Sequence, residues 1–427
     1  MRSALVPILL ADPMPWAFKA PYAWDFLKDR ARFAGGYKGA LANTPGWTAT
    51  PATHSAGGVL YASTASGALQ SFASGELRRT DKGVLIEGAR TNLFTYSQQL
   101  DLGSGAPWSH TGVTVTANAT SAPDGTTTAD KIVEVNAAGT PRIANGSLTV
   151  SAATAHTFSI YAKAAERDQI RIVQEGSATF SAYFLLTGVG TISGLGGSAA
   201  ATITALADGW YRCTLTWTTG GTNPQSYVAT ASGGSPIASG DNTKGLYLWG
   251  AQLEAASFPS SYIPTTTASA TRAADVLTVP VSGLDYPLSL FAEFERAVDT
   301  GVFEALLGVA AAVDNNNIAR LGVSSTDLLR QQQTTGGVAQ ADISEVACAF
   351  SAGVSRKAAG RFALNDVRGA LGGTLNTADT VATVPSTPVR VDFGQTPAGG
   401  NPPFGYLRRA AIWPRALTDA ELQSVTT

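Results

Sequence analysis

Cysteine, histidine and charge are all scarce in this 427-residue chain, and each scarcity closes off a class of function. The only cysteines, Cys213 and Cys348, fall in what read as different domains, so they give no disulfide framework and are expected as small buried apolar residues. That usage is compatible with folding in a bacterial cytoplasm. The three histidines, His54, His110 and His156, stand alone, with neither H-x-x-x-H nor C-x-x-C spacing to favour a transition metal. Charged residues make up 14% of the chain, against a usual figure of about 25%. With 29 Lys+Arg against 31 Asp+Glu and no basic run, the net charge of −2 draws in no polyanion, so nucleic acid is not an expected partner. No run of roughly 18 apolar residues occurs, so no membrane insertion is expected. The opening MRSALVPILLADP is too short and too broken by Pro7 to read as a signal peptide. Phosphate-cradling loops and a G-x-S-x-G elbow are also missing.

What is present is small and apolar. Hydrophobic residues reach 44%, and Ala, Thr, Ser and Gly supply much of the rest. This balance fits β-rich domains with many turns, and protomers that bury side surface in a symmetric assembly. The length predicts two or three domains. Residues 1–82 read as an N-terminal arm and small β-rich attachment region. Pro7, Pro13, Pro15 and Pro21 punctuate a segment holding Trp16, Phe18, Tyr22, Trp24 and Phe26, whose aromatics must pack on a partner or on the chain's own sandwich.

From 113 to 254 short alternating segments follow one another, among them VTVTANAT, HTFSIYAKA, QIRIVQ, SAYFLL, WYRCTLTWT and LYLWGAQLE. Bounded by Gly, Asn and Asp-Gly turns, they predict an antiparallel sandwich. In HTFSIYAKA, Phe158, Ile160 and Ala162 share one face and Tyr161 and Lys163 the other. The pattern restarts with LSLFAEFERA (288–297) and ends on YLRRAAIWPRALTDAELQSV, in which Thr418 and Glu421 form a capping box opening a short helix. The fold class is therefore mostly β, an extended arm followed by two antiparallel β-sandwich (jelly-roll) domains.

The phrases GVLIEGARTNLFT (83–95) and WGAQLEAASFPSSYIPTTTASATRAADV (249–276) resemble the borders of β-sandwich modules in tailed-phage fibre and appendage proteins. The GWYR strand and the final QLE strand make 83–276 similar to a carbohydrate-binding-module jelly roll. The closing strand and LTDAEL helix make 277–427 similar to a concanavalin A or laminin-G module. The resemblance implies a bacteriophage structural protein on the virion surface, in a tail or head appendage, assembled in the host cytoplasm. It also implies other virion proteins as partners through the arm, a homo-oligomer with a trimer favoured, and adhesion to a host surface glycan. A decoration protein that only stabilises the particle, and a depolymerase of the concanavalin fold, stand as alternatives.

Candidate residues follow from chemistry. Tyr161, Lys163, Tyr183 and Trp108 are the aromatic and polar groups chosen for sugar stacking, with Tyr161 expected exposed; Tyr211 and Trp217 are expected buried. Arg90 and Arg272, near Glu254 and Asp275, are expected to form bidentate pairs that fix a module junction. No cofactor is expected beyond a structural calcium near Asp241 and Asn242 or near Asp314 and Asn316, positions that read first as turns. Glu293 and Glu295 lie two apart on one strand face, as in some glycosidases. The E-x-D-x-x-E spacing of those enzymes fails at Glu295 and Val298, so a solvated face is preferred and no catalytic residue is assigned.

Overall fold

The structure, a computed structural model, describes residues 20, 22–33, 37–39, 48–50, 53, 55, 57–103, 107–137, 139–146, 148, 150–176, 178–218, 225–349 and 351–427. Trp16, Phe18 and His54 lie outside the described residues. Two compact units emerge, one from 53–80 with 89–274, the other from the described part of 1–50 with 81–88 and 275–427. Among the described residues no helix is long and apolar enough to cross a membrane.

In the first unit, alternation builds a two-sheet sandwich. One sheet runs in the order Trp108–Thr111, Arg142–Asn145, Gln225–Ser232, Gln169–Glu175, Phe180–Leu185, Thr191–Gly196. The second runs Val113–Thr120, Ala129–Glu134, Gly245–Glu254, Ala155–Ala164, Trp210–Thr218, Ala200–Ala205. Strand Ala155–Ala164 sends Phe158, Ile160 and Ala162 into the core, where Trp108, Ile170, Ile172, Phe184, Tyr211 and Trp217 meet them. Fully burying each large apolar side chain there contributes roughly 1.5–3 kcal/mol. Cys213 lies in the same core as a free thiol whose pKa burial pushes up.

The opposite face of the second sheet is also dry. Tyr161, Trp210, Trp249 and Tyr262 cluster there under the hairpin of Leu60–Ser63 and Leu69–Phe72, which sets Tyr61 edge-on to Trp249 at 6.1 Å. The expectation that Tyr161 is exposed is corrected: it is 1% exposed, because a segment more than eighty residues upstream folds back over its register.

The second unit is a second sandwich. One sheet contains Tyr22–Asp25, Gly405–Trp413, Leu288–Arg296, Ser355–Ala363 and Asp366–Leu371 in that order, and Gly83–Ile86 also pairs with Gly405–Trp413. The facing sheet runs Val338–Ala347, Leu328–Thr335, Ile318–Val323, Glu304–Ala310, Arg390–Phe393, Val276–Pro280, Thr48–Thr50. Of the two placements open to the aromatics of 1–82, those that are described take the second, the chain's own sandwich. Tyr22–Asp25 pairs antiparallel with Gly405–Trp413, and Trp24 and Phe26 stack edge-on against Phe393 at 4.9 and 5.8 Å. The physical reason is shared need: bulky aromatics require a dry surface, and a strand edge requires covering. The module borders expected at 82/83 and 276/277 likewise differ from the unit limits, since 60–72 joins the first sandwich and 81–88 the second.

The outer face of the first of these sheets carries Ala23, Ala359, Ala370 and Ala411 beside Phe291 and Trp413. Methyl-sized side chains leave room for the helix Asp419–Thr426 to seat Leu422 on the sheet. Its start is the predicted capping box. The Thr418 hydroxyl accepts from the Glu421 N–H, and the Glu421 carboxylate accepts from the Thr418 N–H at 2.8 Å. Replacing Thr418 with Ala should cost about 1 kcal/mol of stability in chemical denaturation. A melt unchanged from wild type would show that the cap is not what holds this helix.

Candidate functional site

The border phrases mark a hydrogen-bonded knot. Asn92, wholly buried, uses every side-chain valence: its Oδ1 accepts from Phe94 and Leu253 N–H at 3.1 Å each, and its Nδ2 donates to the carbonyls of Ala251 (3.1 Å) and Ile263 (2.8 Å). Gln252 Oε1 accepts from Ile263 N–H at 2.7 Å, and its Nε2 donates to Glu254 at 2.8 Å. Glu254 also accepts from the Ser260 hydroxyl and N–H. Tyr262 and Ser97 share a 2.6 Å hydroxyl contact, and Ser97 Oγ accepts from Thr265 N–H. Segments that enter and leave the sandwich are therefore tied by polar groups that have no water to turn to.

The knot frames a cavity of about 300 Å³ lined by Gln98, Gln99, Asp101, Asn118, Thr128, Thr265 and Thr266. Leu100, sunk in the core, anchors the loop carrying Gln98, Gln99 and Asp101. Asn118 sits at a bulge in Val113–Thr120, with φ of 53°. Thr128 accepts from the Trp249 indole N–H at 3.0 Å. Behind the lining, Asp130 accepts from Leu100 N–H at 2.9 Å and Asn118 N–H at 3.0 Å. Burial pushes the Asp130 carboxyl up to about 6, with the Asp101 charge adding to the rise and the backbone donors opposing it. Amides, hydroxyls and a carboxylate give a wall that both donates to and accepts from a polyhydroxylated ligand.

Sequence reasoning placed the site elsewhere. Trp108 is fully buried against Phe94 in the core between the sheets, and Tyr183 lies beneath the Arg171 guanidinium, 5.3 Å from its ring, so neither offers a free stacking platform. Lys163 is half-buried opposite Trp210. The four residues are not brought together: Tyr183 is in the first sheet and Tyr161 and Lys163 in the second. Gln98, Gln99 and Asp101 escaped notice because no periodic pattern marks a loop; the adjoining TNL phrase was the available signal.

The remaining candidates also resolve. Arg90 and Arg272 face each other across a strand pair, and Arg90 stacks over Phe258 at 4.9 Å. Glu254 accepts from Ser260 and Gln252, and Asp275 accepts from Glu87 N–H at 2.9 Å. Asp241 accepts from Thr243 and Lys244 N–H, and Asn242 adopts φ of 66° with its Oδ1 accepting from Asn136 N–H. Asp314 likewise accepts from Asn316 N–H. These are side-chain-closed turns, and among the described residues no group of three or more His, Cys, Asp or Glu converges to hold a metal. Glu293 and Glu295 share one face, as their spacing predicts, but the expectation that this face is solvated is corrected: both are buried. They are engaged by Arg409 at 3.1 Å, Arg408 at 3.3 Å and Lys82 at 2.5 Å.

The sequence matches no protein-family model and no curated protein. Several solved structures are distantly similar. The CBM40 of a Ruminococcus gnavus IT-sialidase, bound to α2,3-sialyllactose, is 16% identical over 33% of this chain and 83% of its own, with a TM-score of 0.28. Mouse laminin α1 domains LG4-5 are 14% identical over 64% of this chain and 89% of theirs, at 0.22. Trypanosoma rangeli sialidase, in complex with sialic acid, is 10% identical over 70% of this chain and 60% of its own, at 0.27. Likenesses this slight carry neither fold nor activity over to this chain.

Asn92→Ala would strip partners from four buried backbone groups. Since each such loss costs roughly 1–3 kcal/mol, a drop of at least about 3 kcal/mol is expected in denaturant titration, and a drop under about 1 kcal/mol would dissolve the knot as an explanation. Asp130 has a folded pKa above its ordinary value of 3.8, so its stabilising contribution is complete below 3.8 and disappears as pH rises through about 6. Between pH 5 and 7 the wild-type melting temperature should fall more steeply than that of Asp130→Asn; parallel profiles would contradict the assignment.

Proposed function

We propose that this chain is a non-enzymatic glycan-binding protein whose 89–274 sandwich holds a saccharide in the cavity lined by Gln98, Gln99, Asp101 and Asn118. The observation that carries the reading is the lining itself: a cavity of about 300 Å³ walled by amides, hydroxyls and one carboxylate, on loops pinned from behind by Leu100 and Asp130. Groups fixed in advance lose little freedom on binding, so each hydrogen bond to a sugar hydroxyl retains more of its worth. A non-catalytic role is supported by Glu293 and Glu295, whose charges are held by Arg408, Arg409 and Lys82 instead of facing an open cleft. Display on a tailed-phage particle, as a fibre, spike or decoration, is our reading of the GARTNL and QLE…SYIPT borders. Homo-oligomeric assembly is our reading of the low charge and small residues.

A glycan array followed by calorimetry tests this. Gln98→Ala and Asp101→Ala should each weaken the best array ligand about tenfold, without moving the melting temperature or releasing reducing ends. Failure to bind any neutral glycan at millimolar concentration would leave the purely stabilising decoration protein as the better reading.

A further inference from the structure

A second surface of the same unit has a different chemistry. Ile143, Ile170, Ile172, Ala182, Phe184 and Val228 face the core from the first sheet, so their strand neighbours face outward. Cross-strand pairing sets Thr111, Arg142, Ala229, Arg171, Tyr183 and Ser193 in one outward row. Arg142 and Arg171 flank Ala229, two strand spacings apart, hence about 10 Å between their Cα atoms. Each guanidinium lies on an aromatic ring, Arg142 over Tyr227 at 4.9 Å and Arg171 over Tyr183 at 5.3 Å. Arg171 also donates to Ser181 Oγ at 3.1 Å.

Neither arginine holds a carboxylate. The nearby Glu175 accepts from the Tyr227 hydroxyl at 2.9 Å, and the buried Nε of both arginines has no partner. Several other guanidinium groups of this charge-poor chain sit directly on carboxylates: Arg167 on Glu134 at 2.7 Å, Arg330 on Asp342 at 2.6 Å, Arg415 on Glu421 at 2.7 Å. Two stacked cations on one sheet face, gripped by no carboxylate, therefore suit an anion from outside.

We propose that this face binds a linear acidic polysaccharide, carboxylates on the chain pairing with Arg142 and Arg171. A guanidinium fork matches a carboxylate in bidentate geometry, and stacking on tyrosine fixes the fork before the ligand arrives. Ala229, between the two cations, is itself buried, so the ligand would lie over the guanidinium groups, with the exposed hydroxyls of Ser193 and Thr111 at the two ends of the row. Two cations with a carboxylate close by fall short of the run of phosphate contacts on which nucleic-acid binding depends. The inference shares with the proposed function only the class of ligand, since the cavity lined by Gln98 and Asp101 is a separate site that takes uncharged hydroxyls.

The test is calorimetry on the full chain with trigalacturonate, its methyl ester and an oligonucleotide of equal charge. Trigalacturonate should bind, with the methyl ester and the Arg142→Ala and Arg171→Ala variants each weaker by about tenfold or more. Asp101→Ala should bind it as wild type does, which separates this site from the cavity. Arg142→Lys and Arg171→Lys, which keep charge but lose the fork, should fall between and serve if an alanine variant melts early. Absence of trigalacturonate binding, equal binding of the ester or the oligonucleotide, or lysine variants indistinguishable from wild type would each overturn the proposal.

Discussion

A single amide, that of Asn92, carries much of the first sandwich. It lies where the chain enters, and three of its four hydrogen bonds reach the strand and loop by which the chain leaves, the fourth closing on Phe94 N–H beside it. Because donors and acceptors buried together cannot fall back on water, the arrangement is close to all-or-none: satisfied, it closes the sandwich, and with one member missing several backbone groups are stranded. Gln252, Glu254, Ser260 and Tyr262 extend the same network, and Ser97 and Thr265 connect it to the loops around the cavity. Fold closure and site geometry thus rest on shared bonds.

The strands of this chain were legible where alternation is clean. HTFSIYAKA and WYRCTLTWT sit in Ala155–Ala164 and Trp210–Thr218, with Tyr211 and Trp217 buried as their register demands, and LTDAEL opens the terminal helix. Polar strands were not legible. Leu328–Thr335 contains three successive glutamines, and two of them, Gln331 and Gln333, are buried, so its composition hides a strand that has an inward face. ACAFSAG reads as a strand from residue 347 yet leaves strand geometry after Ala347. Arg142–Asn145 went unread because four residues after a proline give too little alternation to detect.

The site was legible only in outline. The TNL and QLE…SYIPT phrases point to the right part of the molecule, but their polar residues serve the backbone, and the groups facing the cavity lie on the adjoining loops. Aromatic side chains misled for a physical reason: an outward register implies exposure only if nothing returns to cover it, and the hairpin of Leu60–Ser63 and Leu69–Phe72 does. Low charge, in turn, proves to be economy of placement. Glu293, Glu295, Arg408, Arg409 and Lys82 form one ladder, Arg296 gathers Asp299, Glu304 and Asp327, and few cations are left to face solvent alone.

The pairing of Tyr22–Asp25 with Gly405–Trp413 joins segments separated by nearly the whole chain. A ribosome delivers the first of these long before the second, so the sheet that needs both stays incomplete during most of translation, with Trp24 and Phe26 lacking their permanent neighbours. The intervening sandwich has its own core and can mature meanwhile. Truncation that removes Gly405–Trp413 would consequently deprive Tyr22–Asp25, made far earlier, of its sheet partner.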